Sequence, residues 1–249
     1  MDSHHAVIEA ITSELSELIA LLEPSILVPL FGDVLLSILN SIGYTGGSLL
    51  FGTIRNSVMR LLVQLGDESV IAKCLSLFEE ESIDADIKVA VYTAFGLQSM
   101  ENFKKLMGMT KSASDDALET SRLLRSLGHA ADTTEKVELL WEFSLSDNVR
   151  SQDWTIPMRS LGSRHGTGTT LWRLFSSQFD SLLNTIPQSI LTSGFSSMFD
   201  SLTDSDVVEE MKVFFTGKEL PFMRMTIPQV VERVSVNIEF VDRFVSEQV

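Results

Sequence analysis

Apolar residues recur at helical spacing along almost the whole chain, and the breaks between the periodic stretches are only a few residues long. Val7, Ile8, Ile11, Leu15, Leu18, Ile19 and Leu22 fall on one face of a 3.6-residue repeat before Glu23-Pro24 ends it. The same reading predicts helices over Val28 to Ile42, Thr53 to Leu65, Glu68 to Glu80, Ala85 to Gln98, Met100 to Met109 and Asp115 to Leu127. It continues over Thr133 to Leu145, Ser151 to Leu161, Thr169 to Thr185, Gln188 to Leu202, Asp206 to Phe215 and Pro228 to Ser246. Strand-like alternation is scarce. Gly66-Asp67, Gly128-His129 and Gly217-Lys218 offer C-cap glycines, and Asp67, Ser114, Asp132 and Ser205 offer N-cap side chains. Short connections make antiparallel helix pairs, and pairs recurring at roughly 30 to 45 residues stack on one another. The expected fold is therefore all-α: one domain over residues 1–249, a curved stack of antiparallel helix pairs in an irregular HEAT- or armadillo-like superhelix.

Composition supports a folded chain, with 44% hydrophobic and 21% charged residues. The longest apolar stretch, Ile26 to Leu39, contains Pro29, Gly32 and Asp33 and is shorter than the roughly 20 residues of a bilayer span, so no membrane span is expected. The first ten residues carry two acids and no base ahead of the apolar positions, unlike a signal peptide. A net charge of −15, from 19 basic and 34 acidic residues, argues against a nucleic-acid surface. Cys74 has no partner for an intrachain disulfide and no Asn-x-Ser/Thr acceptor occurs, which points to a reducing, cytoplasmic setting.

A zinc hydrolase needs two histidines one helical turn apart with a glutamate between them. The four histidines, His4, His5, His129 and His165, offer no such spacing, and the adjacent pair diverges by about 100° on a helix. No metal ligand or catalytic residue is expected. Gly166-Thr167-Gly168-Thr169-Thr170 reads as a turn feeding a helix, since it lacks the lysine of a phosphate loop. Ser163 and His165 sit in no strand-turn-helix elbow that would pair them as nucleophile and base. Arg122, Arg125, Arg150, Arg159, Arg164 and Arg173 reverse the local charge in the middle of an acidic chain. Guanidinium groups pair bidentately with carboxylates, so Arg122, Arg125, Arg150 and Arg159 are candidate peptide-binding residues on a concave face. The alternative is ordinary ion pairing, with Glu119 or Asp115 as partners. Trp141, Trp154 and Trp172 lie at helical spacing and are expected in the core.

An ordered set of motifs runs through the chain. Leu65-Gly66-Asp67-Glu68-Ser69-Val70-Ile71 is followed by Ile83-Asp84-Ala85-Asp86-Ile87 and Val91-Tyr92, then by Arg122-Leu123-Leu124-Arg125-Ser126-Leu127-Gly128. Val149-Arg150-Ser151-Gln152-Asp153, Trp172-Arg173-Leu174-Phe175 and Glu232-Arg233-Val234-Ser235-Val236-Asn237-Ile238 complete it. This order resembles the helical C-terminal domain of zinc aminopeptidases of the aminopeptidase N and puromycin-sensitive type. The sequence departs from that pattern at Gln178-Phe179, where an Asn-Trp pair is usual, and its Gly162 to Gly168 turn lacks the usual proline.

The resemblance implies a domain that forms the wall and lid of a peptide chamber, non-catalytic by itself, whose partners are peptide substrates and the catalytic domain. It also implies zinc in that catalytic domain, whose ligands, glutamate base and tyrosine match no position here. The alternative is an independent helical-repeat scaffold that binds another protein.

Overall fold

The computed structural model describes residues 3–46, 49–80 and 82–247; Gly47 and the side chains of His4 and His5 lie outside it. Fourteen α-helices follow one another, with no strand among the described residues. They are α1 (Ser3–Leu21), α2 (Pro24–Ile42), α3 (Leu49–Leu65), α4 (Glu68–Phe78), α5 (Lys88–Gln98), α6 (Met100–Ser112) and α7 (Ala117–Ala130). The second half comprises α8 (Thr134–Ser144), α9 (Thr155–Gly162), α10 (Gly168–Ser177), α11 (Phe179–Thr185), α12 (Gln188–Ser197), α13 (Ser205–Phe215) and α14 (Thr226–Glu247). Short 3-10 turns occupy Ser151–Asp153 and Pro221–Met223.

Side-chain caps set many of the starts. Asp67 accepts from the Val70 N–H at 2.9 Å, Ser99 from Asn102 at 3.1 Å, and Asp116 from both Leu118 and Glu119 at 3.0 Å. Thr133 and Asp204 cap α8 and α13. Three caps predicted from sequence, Ser114, Asp132 and Ser205, thus give way to an oxygen one or two residues away that reaches the free N–H groups. Gly66 ends α3 at φ +83°, a conformation costly for a residue with a Cβ. There the Gly66 and Asp67 N–H groups return to the Val63 and Leu62 carbonyls.

Gly128 differs from its expected role as a terminator. It lies inside α7, where a Cβ would come within 2.8 Å of the Pro157 carbonyl and 3.1 Å of the Leu161 nitrogen, so its missing side chain lets α7 and α9 approach closely.

Helices of one row touch in the order α1, α3, α5, α7, α9, α12, α14, and a second row of α2, α4, α6, α8, α10 and α13 packs against it. Ser16, Glu17, Ala20 and Leu21 of α1 line one cavity of about 360 Å³ together with Arg233 and Asn237 of α14. The first row has therefore curled until its two ends face each other, which makes it the inner layer. α5 is buried along most of its length, from Val89 to Gly96.

Large aromatic side chains fill the space between the rows of the second half. Trp172 meets Phe175, Phe199, Phe214 and Phe215 at centroid distances of 5.4–6.3 Å, and Phe175 continues the cluster to Phe179 and Phe195. All three tryptophans are core residues. Among the described helices, α2 is long and apolar enough to cross a bilayer by length and composition, since Pro29 and Gly32 sit within it and do not break it. Its Leu27, Leu35 and Leu39 belong to the common core.

Candidate peptide-facing surface

The four arginines singled out from sequence divide into two kinds. Arg122 Nη1 lies 3.2 Å from Glu119 Oε2, which also receives Lys88 Nζ at 2.9 Å, while Tyr92 OH donates to Glu119 Oε1 at 2.5 Å. Burial alone would raise the Glu119 carboxyl, but these hydrogen bonds and cationic neighbours outweigh it and hold the group below its ordinary value. Arg150 is exposed and donates from Nε to Asp153 Oδ2 at 2.6 Å. Arg122 and Arg150 are thus local ion-pair partners.

Arg125 on α7 and Arg159 on α9 are exposed, and among the described residues neither has a carboxylate within ion-pair distance. Both belong to the inner row. Arg125 acts electrostatically on Arg60 and on His129, and Arg159 acts on Asp200. The structure therefore brings Arg125 and Arg159 to the inner layer with further groups that sequence reasoning missed.

Arg60 on α3 is one of these. Its Nη1 donates to Gln64 Oε1 at 2.7 Å and its Nη2 to Ser16 Oγ at 3.2 Å, with no carboxylate in ion-pair range among the described residues. Burial, aided by Arg125, lowers its pKa to about 10, so it stays cationic at neutral pH. A signal existed: Arg60 interrupts the apolar run Val58-Met59-Arg60-Leu61-Leu62-Val63, where a guanidinium has to be held inside the fold.

Arg164 was visible as part of the basic run, but its role was not. Its Nη1 donates to the His129 carbonyl at 2.6 Å, in the last turn of α7. The imidazole of His129 is held well below its ordinary pKa, first by burial and then by the charges of Arg60, Arg164 and Arg125. Arg173 is exposed on α10, in the outer row.

At the seam between α1 and α14, Arg233 Nη2 lies 3.1 Å from Asp200 Oδ1, and Asn237 donates to the Asp200 carbonyl at 3.0 Å. Burial raises the Asp200 carboxyl, Glu17 adds to this, and Arg233 and Arg159 oppose it.

The remaining sequence candidates are occupied by structure. Ser163 Oγ bonds the Ser160 carbonyl at 2.9 Å, and Thr167 Oγ1 bonds the Leu161 and Arg164 carbonyls at 2.6 and 2.9 Å. The 163–168 segment is thus a braced turn between α9 and α10. Among the described residues, no three His, Cys, Asp or Glu side chains cluster as metal ligands, so the residues present do not fit a zinc ion.

The family described as ERAP1-like C-terminal domain matches residues 1–236. Aminopeptidase M1-B of Oryza sativa subsp. japonica is 27% identical over 232 residues, covering 86% of this chain and 26% of that protein. Aminopeptidase M1 of Arabidopsis thaliana is 25% identical over 214 residues, covering 81% of this chain and 24% of that protein. The chain thus spans about a quarter of the length of the curated relatives it matches. With the all-helical architecture and the match over nearly its whole length, the chain belongs to the ERAP1-like C-terminal domain family, the C-terminal domain of M1 aminopeptidases.

Proposed function

We propose that this chain forms the wall of the peptide chamber of a zinc aminopeptidase, non-catalytic by itself, with its inner row of helices turned towards the peptide. The zinc and the catalytic groups belong to the catalytic domain it partners, and the setting is cytoplasmic. The observation that carries this reading is that Arg125 and Arg159 stand exposed on the inner row without carboxylate partners among the described residues, in a chain of net charge −15. Such an acidic protein has acids to spare for surface pairing, as Arg122 and Arg150 illustrate. Unpaired guanidinium groups on a concave face are suited to backbone carbonyls and carboxylates of an extended peptide.

The test uses a complete aminopeptidase that contains this domain. Arg125→Ala and Arg159→Ala should each lower kcat/KM for a long peptide by roughly fivefold to tenfold, the scale of one lost hydrogen bond of about 1 kcal/mol at a solvent-exposed site. The same variants should leave a single-residue reporter within about twofold, because its short body does not reach the domain. Arg122→Ala and Arg150→Ala should change neither substrate by more than that. Equal losses on both substrates would assign the arginines to folding or domain closure, against the proposal.

A further inference from the structure

The outer helix α6 carries Lys104, Lys105 and Lys111 against a single acid, Glu101, in a chain of net charge −15. Among the described residues none of these lysines has a carboxylate within ion-pair distance, not even Lys105, which lies one turn beyond Glu101. The Lys105 ammonium sits instead 5.7 and 5.2 Å from the ring centroids of Phe78 and Phe95, which stack on each other at 3.8 Å. An open groove of about 650 Å³ runs beside this helix. Lys105, Gly108, Met109 and Ser112, at i, i+3, i+4 and i+7, form one bank, and Glu119 and Leu123 of α7, one turn apart, form the other. A Cβ at Gly108 would meet nothing within 4 Å, so the groove is open at that point. Phe78 meets Tyr92 edge-on at 6.2 Å, and Tyr92 OH donates to Glu119, so aromatic rings connect Lys105 to Glu119. Glu119 is taken up by Tyr92, Lys88 and Arg122, and Asp116 by its cap of α7. The charge left for an incoming group to meet is therefore positive.

We propose that the groove between α6 and α7 is a docking surface for an acidic, amphipathic helix of a partner protein. Its apolar face seats on Met109 and Leu123, with one large side chain entering over Gly108, and its flanking carboxylates meet Lys105. Two helical banks offer no strand edge with which an extended segment could pair its backbone, whereas a helix needs only apolar anchors at its own i, i+4 spacing. The bank from Lys105 to Ser112 is about 10 Å long, which matches two turns of such a helix. Charge selects a short acidic helix over a polyanion. A nucleic acid or an anionic bilayer extends well beyond a Debye length of about 8 Å and meets the field of the whole acidic chain, while a short helix senses chiefly the local lysines. α6 belongs to the outer row, so this proposal does not rest on the peptide-chamber reading.

The experiment titrates the purified chain with a fluorescein-labelled helical peptide of about 16 residues, acetylated and amidated at its ends, with Leu at i, i+3, i+4 and i+7 and Glu beside them. Two matched peptides replace every Glu by Lys, or every Leu by Ser, and fluorescence anisotropy reads binding at constant ionic strength. The acidic Leu peptide is expected to bind at least tenfold more tightly than either. Lys105→Glu should weaken it by fivefold or more. Gly108→Arg should do the same although it adds a positive charge, because its side chain fills the groove. Both positions are exposed, so both variants should fold, which thermal melts check; Arg150→Ala serves as the unaffected control. Binding to Gly108→Arg as tight as to the wild type, or tighter, would reduce the interaction to diffuse charge and overturn the groove. Equal binding of the acidic and basic peptides, or no saturable binding of the acidic one, would overturn the partner's chemistry. Phosphatidylserine vesicles that bind the chain where the acidic peptide does not would assign the surface to a membrane, against the proposal.

Discussion

Lys136 reaches from α8 to place its ammonium 3.1 Å from the Gly96 carbonyl, in the last turn of α5. The same nitrogen lies 3.4 Å from the Leu97 carbonyl and 2.7 Å from Asp132 Oδ1. Helix ends leave carbonyls without partners and carry partial negative charge, so a cation there satisfies both needs. The device recurs through the stack. Arg55 donates to the Gly43 carbonyl past the end of α2 at 2.9 Å, Arg164 to the His129 carbonyl of α7, and Arg233 to the Ser196 carbonyl of α12. Four helix ends are thereby tied to other parts of the chain by basic side chains.

Replacing Lys136 by Met should therefore cost about 2–4 kcal/mol, since its side chain is 5% exposed and its loss strands two carbonyls and unpairs Asp132. Urea unfolding followed by circular dichroism measures this. A loss below about 0.5 kcal/mol would show that the cap contributes little.

Two glycines within helices should respond with opposite sign. Gly128→Ala forces a Cβ against Ser160 and the Pro157 carbonyl and should destabilise by roughly 1–3 kcal/mol as α7 and α9 separate. Gly108→Ala on α6 meets nothing within 4 Å and should stabilise by about 0.5–1 kcal/mol through helix propensity. Paired thermal melts check both signs.

Stability should fall on acidification from about pH 7 downward, because of His129. Its folded pKa lies well below the ordinary 6.5, so the unfolded chain takes up a proton that the folded chain refuses. The neutral imidazole's contribution is full above the unfolded pKa and is lost as pH drops beneath it, at up to about 1.4 kcal/mol per pH unit. His129→Gln should flatten the slope of unfolding free energy between pH 7 and 5.5. An unchanged slope would mean that His129 takes up its proton alike in the folded and unfolded chains, against the depressed value.

The reach of the sequence can be judged from particular residues. Asp67 and Gly66 announced a helix junction because cap and left-handed turn are local chemistry, and both stand where expected. The stretch Thr169 to Thr185 reads as one helix but breaks at Gln178, whose side-chain oxygen accepts from Trp141 Nε1 at 3.2 Å. No periodicity signals that break, since Phe175 and Phe179 remain one helical turn apart and both become buried. Ala85 to Ile87 likewise forms a turn before α5, where Asp84 accepts from the Asp86 N–H. Gly128 carried the signature of a helix end, and only the approach of α9 reveals its use. Among the arginines, which face each helix turns inward depends on contacts between distant segments. Arg122 and Arg125 lie within one turn, yet one pairs with Glu119 and the other remains unpaired on the inner row.

The central claim, that the inner row of helices receives the peptide, is tested most directly by photo-crosslinking. A peptide carrying a photoreactive benzophenone residue near its C-terminus is bound to a complete aminopeptidase containing this domain, irradiated, and its attachment points are mapped by mass spectrometry. The account predicts saturable cross-links on α3, α7 and α9, close to Arg60, Arg125 and Arg159, that unlabelled peptide suppresses. Cross-links confined to the outer helices α2, α6 and α8, or none in this domain that unlabelled peptide suppresses, would contradict it.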